Sequence, residues 1–153
     1  MLRLSKLTDY GTVVMTYLAR EPTRMHNATE IAARVGVALP TVSKVLKLLA
    51  KHGLVVSHRG TKGGYMLARP AAGITVAQII DAMEGRIAMT ECSSAPGLCQ
   101  QEVECSIRVN WMRINQAIRT ALEAVTLADM THPVTVHRVS AESLRIASAA
   151  RVI

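Results

Sequence analysis

Phenylalanine is absent from the 153 residues and tryptophan occurs once, so a hydrophobic core has to be assembled from Leu, Val, Ile, Ala and Met. That palette favours helices. No uninterrupted apolar run approaches the roughly 20 residues that span a bilayer, and the start MLRLSKLTDYG lacks the apolar centre of a signal peptide. The expectation is a cytoplasmic protein with no membrane partner. Cysteine is scarce too: three residues, an odd number, confined to one short stretch. This argues against a secreted disulfide framework and for thiols that react or bind metal. Acidic residues are few in the first part, where residues 1–70 hold 11 Lys or Arg against 3 Asp or Glu, a balance of +8. Residues 71–153 hold 7 against 8, a balance of −1, so a polyanionic partner is expected to dock at the N-terminal part.

What is present is helical spacing. Leu4, Leu7, Gly11, Val14 and Leu18 fall on one helical face, and that helix ends near Arg20, ahead of Pro22. Asn27 opens a second, short helix, with Glu30 placed to reach back to the cap. In NATEIAARVGVALPTVSKVLKLLAKHG the apolar set is Ile31, Val35, Val37, Val42, Val45 and Leu49. Small Ala32 sits where two helices cross, Gly36 where the chain turns, and Pro40 in a first helical turn. This is a helix-turn-helix pattern. Gly53 stops the third helix. Two short strands follow, Leu54–His58 and Tyr65–Ala68, joined by a Gly-rich basic tip with Arg59, Gly60, Lys62, Gly63 and Gly64, which reads as a β-wing. The tip lacks the Gly-Lys-Ser/Thr ending of a nucleotide loop.

Ile74–Gly85 reads as a helix opened by a Thr75/Gln78 capping box. AMTECSSAPGLCQQEVEC has no periodicity and reads as a loop carrying Cys92, Cys99 and Cys105. From 103 to 130, Ile107, Trp111, Ile114, Ile118, Ala121, Val125 and Ala128 keep the alternating spacing of a seam that packs lengthwise on another helix. A helix that long cannot bury its seam on so small a domain, so a homodimer is expected through it. The other reading folds the helix back over its own domain. The expected fold is mainly α with a small β-wing: a winged helix-turn-helix over 1–85, a cysteine loop over 86–105, a dimerisation helix over 103–130, and a tail over 131–153 with no assigned role.

In such a fold the start of the third helix enters the major groove of double-stranded DNA, which makes Thr41, Ser43 and Lys44 candidates for base or adjacent phosphate contacts. Lys47 and Lys51 face phosphate or solvent, and Thr29 at the mouth of the second helix is placed for a phosphate. Arg59 and Lys62 in the wing are placed for the neighbouring minor groove. The spacing Cys92-x6-Cys99-x5-Cys105 suits soft-metal binding; a zinc site, a thiol redox switch and inert cysteines remain alternatives. No C-x-x-C pair and no Ser/His/Asp or paired-carboxylate arrangement is present, which points away from an enzyme.

LRLSKLTDYG, ATEIAARVGVALPTVSKVLKLL, RGTKGGYMLARP and the three-cysteine loop together resemble the bacterial family of iron-sulfur winged-helix regulators that includes IscR and NsrR. The likeness covers about residues 1–130. AMTECS and NWMRINQAIRTALEAVTLADM look most like the branch that regulates SUF-type cluster-assembly operons. The resemblance implies a DNA-binding transcriptional repressor, acting at promoter operators, whose Cys92, Cys99 and Cys105 hold a [2Fe-2S] or [4Fe-4S] cluster. It also implies the minor-groove role of Arg59. IscR-like proteins supply a histidine ligand where this chain has Arg108, which cannot ligate. NsrR-like proteins use an aspartate in the partner's first helix, a position matched by Asp9; Glu91, Glu102, Glu104 and a small thiol are further candidates. A thiol-based or nitric-oxide-sensing regulator of other promoters is the alternative function.

Overall fold

The computed structural model describes residues 3–60 and 63–132. The expected tail lies almost wholly outside the described residues. Helix α1 (Lys6–Arg20) is capped by Ser5, whose side chain accepts from the Thr8 N–H, and it buries Thr8, Gly11, Val14, Met15 and Leu18. Leu4 falls before this cap and stays half exposed, so the apolar stripe starts one turn later than its spacing suggested. α2 (Ala28–Val35) starts at Asn27, which accepts from the Glu30 N–H at 2.8 Å. The Glu30 carboxylate does not return to the cap; it receives the Tyr17 hydroxyl at 3.2 Å and pairs with Arg24 at 2.8 Å. Burial raises its pKa, but these partners outweigh that and hold it below the usual value. Gly36 ends α2 at φ +69°, the left-handed turn that leads into α3 (Leu39–Lys51).

α3 buries Val42, Val45, Leu46 and Leu49 against α1, α2 and α4 (Val76–Glu84). Its opposite side carries Pro40, Lys44, Lys47 and Lys51, all exposed. β1 (Val55–His58) and β2 (Gly64–Leu67) form an antiparallel hairpin in which Val55 faces Leu67 and His58 faces Gly64. The hairpin is braced from outside: His26, ahead of α2, exchanges backbone bonds with Tyr65 at 3.0 and 2.8 Å. A Cβ on Gly64 would lie 2.7 Å from the His26 carbonyl, so this close approach requires glycine. The His26 ring is buried beside Tyr17, with centroids 5.0 Å apart. A 3-10 turn (Ala71–Gly73) precedes α4, whose Thr75/Gln78 capping box forms as expected.

Beyond α4 the structure corrects the single long helix. The loop contains a short helix α5 (Glu91–Ser94), and α6 runs only from Arg108 to Glu123. The chain then turns at Ala124 and Val125, and Thr126 and Asp129 form a second capping box that opens α7 (Leu127–Thr131). The seam breaks there because the core recruits the chain. The Val76 N–H donates to the Val125 carbonyl at 2.9 Å, the Leu127 N–H to the Ile74 carbonyl at 2.8 Å, and Leu127 is fully buried. Ala128 therefore lies on a different helix from Trp111, Ile114 and Ile118, and Ile107 stands at the N-cap of α6. α6 packs on α4 and α5, and none of its residues is fully buried.

Candidate nucleic-acid interface and cysteine loop

A helix that buries one side in a core has to offer the other to its surroundings, and in α3 that other side is basic. Lys44, Lys47 and Lys51 are exposed on it, while Thr41 and Ser43 at its start are half-buried. Its N-cap, Ala38, provides no side-chain hydrogen bond. Thr29 is exposed in the first turn of α2. Arg59, just past β1, is exposed at the wing tip; Lys62 lies outside the described residues. The first turns of α2 and α3 belong to one helix-turn-helix, and β1 follows α3 after Gly53. Exposed cations on a helix and a wing, at the spacing of this motif, suit a duplex phosphate backbone.

The cysteine loop is built more sparsely. The Met89 N–H donates to Asn115 of α6 at 3.1 Å, which fixes the loop's entry. Cys92 lies in α5, its sulfur 3.2 Å from the Thr90 hydroxyl, and that hydroxyl is 2.9 Å from Ser93. Farther on, Glu102 accepts the Gly97 N–H at 2.6 Å and pairs with Arg108 at 2.6 Å. Arg108, which stands where IscR-like proteins supply a histidine, thus ties down one of the candidate carboxylates. Cys92, Cys99 and Cys105 are all free and half-buried. Among the described residues no three His, Cys, Asp or Glu side chains stand together as a metal-binding group, so the fold does not gather the three sulfurs or bring Asp9 to them within one chain. Three unpaired thiols on one loop nevertheless fit a cluster in the chemistry of the donors. Asp9 is exposed in the first turn of α1.

Just ahead of the loop, Glu84 closes α4 and reaches the start of α1, accepting from the Ser5 N–H at 2.6 Å and from the Thr8 hydroxyl. These bonds, the Thr8 hydroxyl first, hold its carboxyl below the usual range. Arg119 of α6 pairs with Asp81 of α4 at 3.0 Å and with Glu123 at 2.8 Å, and its pKa is raised, chiefly by the bond to Asp81. Between α4 and α6 an open cleft of about 620 Å³ is lined by Ile80, Gly85, Ile87, Ile118, Leu122 and others. Sequence reasoning missed Glu84, Asp81 and Arg119. Their partners lie 79, 38 and 38 residues away, beyond any local pattern.

A helix-turn-helix, a wing and an exposed basic recognition helix define a DNA-binding winged-helix transcriptional regulator. The family profile of Rrf2, described as an iron-dependent transcriptional regulator, matches residues 4–133, and the chain belongs to that family. Protein aau3 of Rhizobium meliloti is 35% identical over 123 residues, 80% of this chain and 76% of that protein. The HTH-type transcriptional regulator IscR of Erwinia tasmaniensis is 30% identical over 131 residues, 83% of this chain and 79% of IscR. Among solved structures, CymR, the global cysteine regulator of B. subtilis, matches with a TM-score of 0.68 and 28% identity, covering 86% of this chain and 97% of CymR. The family consists of regulators rather than enzymes, and the relatives support it as a whole rather than its SUF branch. Among the described residues no helix is long and apolar enough to cross a membrane.

Proposed function

We propose that this regulator acts in the cytoplasm as a homodimeric repressor whose DNA affinity is set by an iron-sulfur cluster held by Cys92, Cys99 and Cys105. The observation that carries this reading is the placement of three free, half-buried thiols on a loop strung between α4 of the DNA-binding domain and α6. Bound there, a cluster supplies a redox- and iron-responsive crosslink among three points of the loop. Asp9 of the partner subunit is the proposed fourth ligand. The target proposed from the likeness to IscR is the promoter of iron-sulfur assembly genes.

Thr29, Thr41, Ser43, Lys44 and Lys47 are the proposed contacts of the helix-turn-helix, with Arg59 and Lys62 in the wing. The homodimer reading rests on α6 and its N-cap, where Ile107 and Ile114 are 54% and 45% exposed while Trp111 and Ile118 are half-buried. Half of the expected seam thus lies against its own domain, and the open half is offered to a second copy.

Ligand binding that discriminates between two DNA affinities is sufficient for such linkage. Anaerobic purification with iron and sulfide analysis tests it, on the wild type and on a variant with Cys92, Cys99 and Cys105 all changed to Ala. Loss of iron together with at least a five-fold change in promoter affinity is expected; unchanged affinity removes the cluster from the mechanism. Thiol-based regulation is the second reading. It is favoured by the separation of the sulfurs and the likeness to a cysteine regulator, and it predicts iron-free protein whose affinity responds to oxidant.

A further inference from the structure

Between residues 27 and 53 one large apolar side chain is exposed: Leu39, at 41%. It is the first residue of α3, and exposed Pro40 follows it. Elsewhere in this motif the large apolar residues are buried or half-buried, so their exposure is local to the leading end of the helix. At 100° per residue Pro40 shares the outward side of α3 with Lys44 and Lys47, opposite Val42, Val45, Leu46 and Leu49. Leu39 lies 100° round the axis from Pro40, toward Leu46, and is exposed as the first residue of the helix. Neither side chain can donate or accept a hydrogen bond, and proline also lacks a backbone N–H. The exposed leading edge of the helix is therefore apolar, followed one turn later by lysines.

The DNA major groove displays donors, acceptors and one apolar group, the C5-methyl of thymine. An apolar edge gains nothing from the polar edges of guanine, cytosine or adenine and leaves their hydrogen-bonding groups without partners. Resting on the reading that α3 enters the major groove, we propose that Leu39 and Pro40 are specificity-determining residues that select thymine by contact with its methyl group. Pro40 and Lys44 are four residues apart, about 6 Å along the helix axis. At about 3.4 Å per base pair, the selected thymine lies within two base pairs of the position approached by Lys44.

The test uses the full chain. Sites enriched from a random duplex library by the wild type are remade with deoxyuridine for each thymine in turn, which deletes only the methyl. Wild type is expected to lose about four-fold in affinity at one or two positions per half-site, the worth of one buried methyl. Leu39→Ala and Pro40→Ala are expected to bind the thymine and uracil sites alike at those positions, whereas Lys44→Ala weakens all sites and keeps the difference. Pro40→Ala serves as the primary variant because Pro40 shares the lysine side of α3, and a thermal melt checks that each variant is folded. Enriched sites without thymine, or a uracil penalty equal in wild type and both variants, overturn the proposal and leave the DNA-binding reading intact. Failure to bind any duplex removes that reading and the proposal with it.

Discussion

The DNA-binding part and the segment that follows it are held by different means. From α1 to α4 three of the four α-helices open on a side-chain cap, and Met15, Leu18, Ile31, Leu46, Leu49 and Ile79 are sealed from solvent. From Arg86 to Glu123 one residue, Ser93, is buried, while Leu98, Val103, Ile107, Val109, Met112 and Ile114 are exposed. That segment is fastened by polar contacts instead: Asn115 to Met89, Glu102 to Gly97 and Arg108, and Arg119 to Asp81. A region with a dry core already has its apolar area withdrawn from water; one with its apolar groups outward gains most from something added to it. The contrast separates a dry-cored reader of DNA from an arm that, on the function proposed above, is completed by a second copy and a bound group.

The largest effect that bears on this contrast belongs to the core. Leu46→Ala is expected to lower unfolding stability by about 3 kcal/mol in urea titrations, since a fully buried leucine leaves a cavity. A loss under about 1 kcal/mol would erase the distinction between the two regions. Next comes the exposed seam. Ile114→Glu is expected to weaken dimerisation about thirty-fold or more by sedimentation equilibrium, the scale of an interface hot spot, with the winged helix still folded. An unchanged association constant would move the interface off α6.

Arg119→Ala should cost about 1 kcal/mol, because the pair with Asp81 is only half-shielded from water. Hydrogen exchange is expected to rise in α6 and not in α3; a uniform rise would mean that the arm and the reader unfold as one unit. The smallest expected effect is at Glu84. Its folded pKa is depressed, so its contribution is present above the ordinary carboxylate value and is lost as pH falls through the folded value. Glu84→Gln should flatten acid destabilisation below about pH 4.5, by well under 1 kcal/mol for so exposed a group. An unaltered acid profile would show that the link from α4 to the start of α1 carries no stability.

Much of the reader was legible because its signals are local. Asn27, Gly36 and the Thr75/Gln78 pair each act within four residues, and period alone distinguishes the inner from the outer side of α3. The end of α6 was misread although Thr126/Asp129 is the same kind of cap. The apolar spacing continues across it through Val125 and Ala128, and periodicity cannot register a turn that keeps the phase. The cysteine loop was legible as a set of thiols and not as an arrangement, because Arg108 and Glu102 are recognisable as a pair only once the loop has a shape.

The amino-acid sequence by itself determined the helix-turn-helix, the wing, the basic charge of the first 70 residues and the three thiols on one loop, since each follows from residue type and short-range spacing. Tertiary structure alone decided that Leu127 leaves the seam for the core, that His26 braces the wing, and that Leu39 stands exposed at the head of α3. Those outcomes depend on which surfaces meet across dozens of residues, where burial of apolar area outweighs local preference.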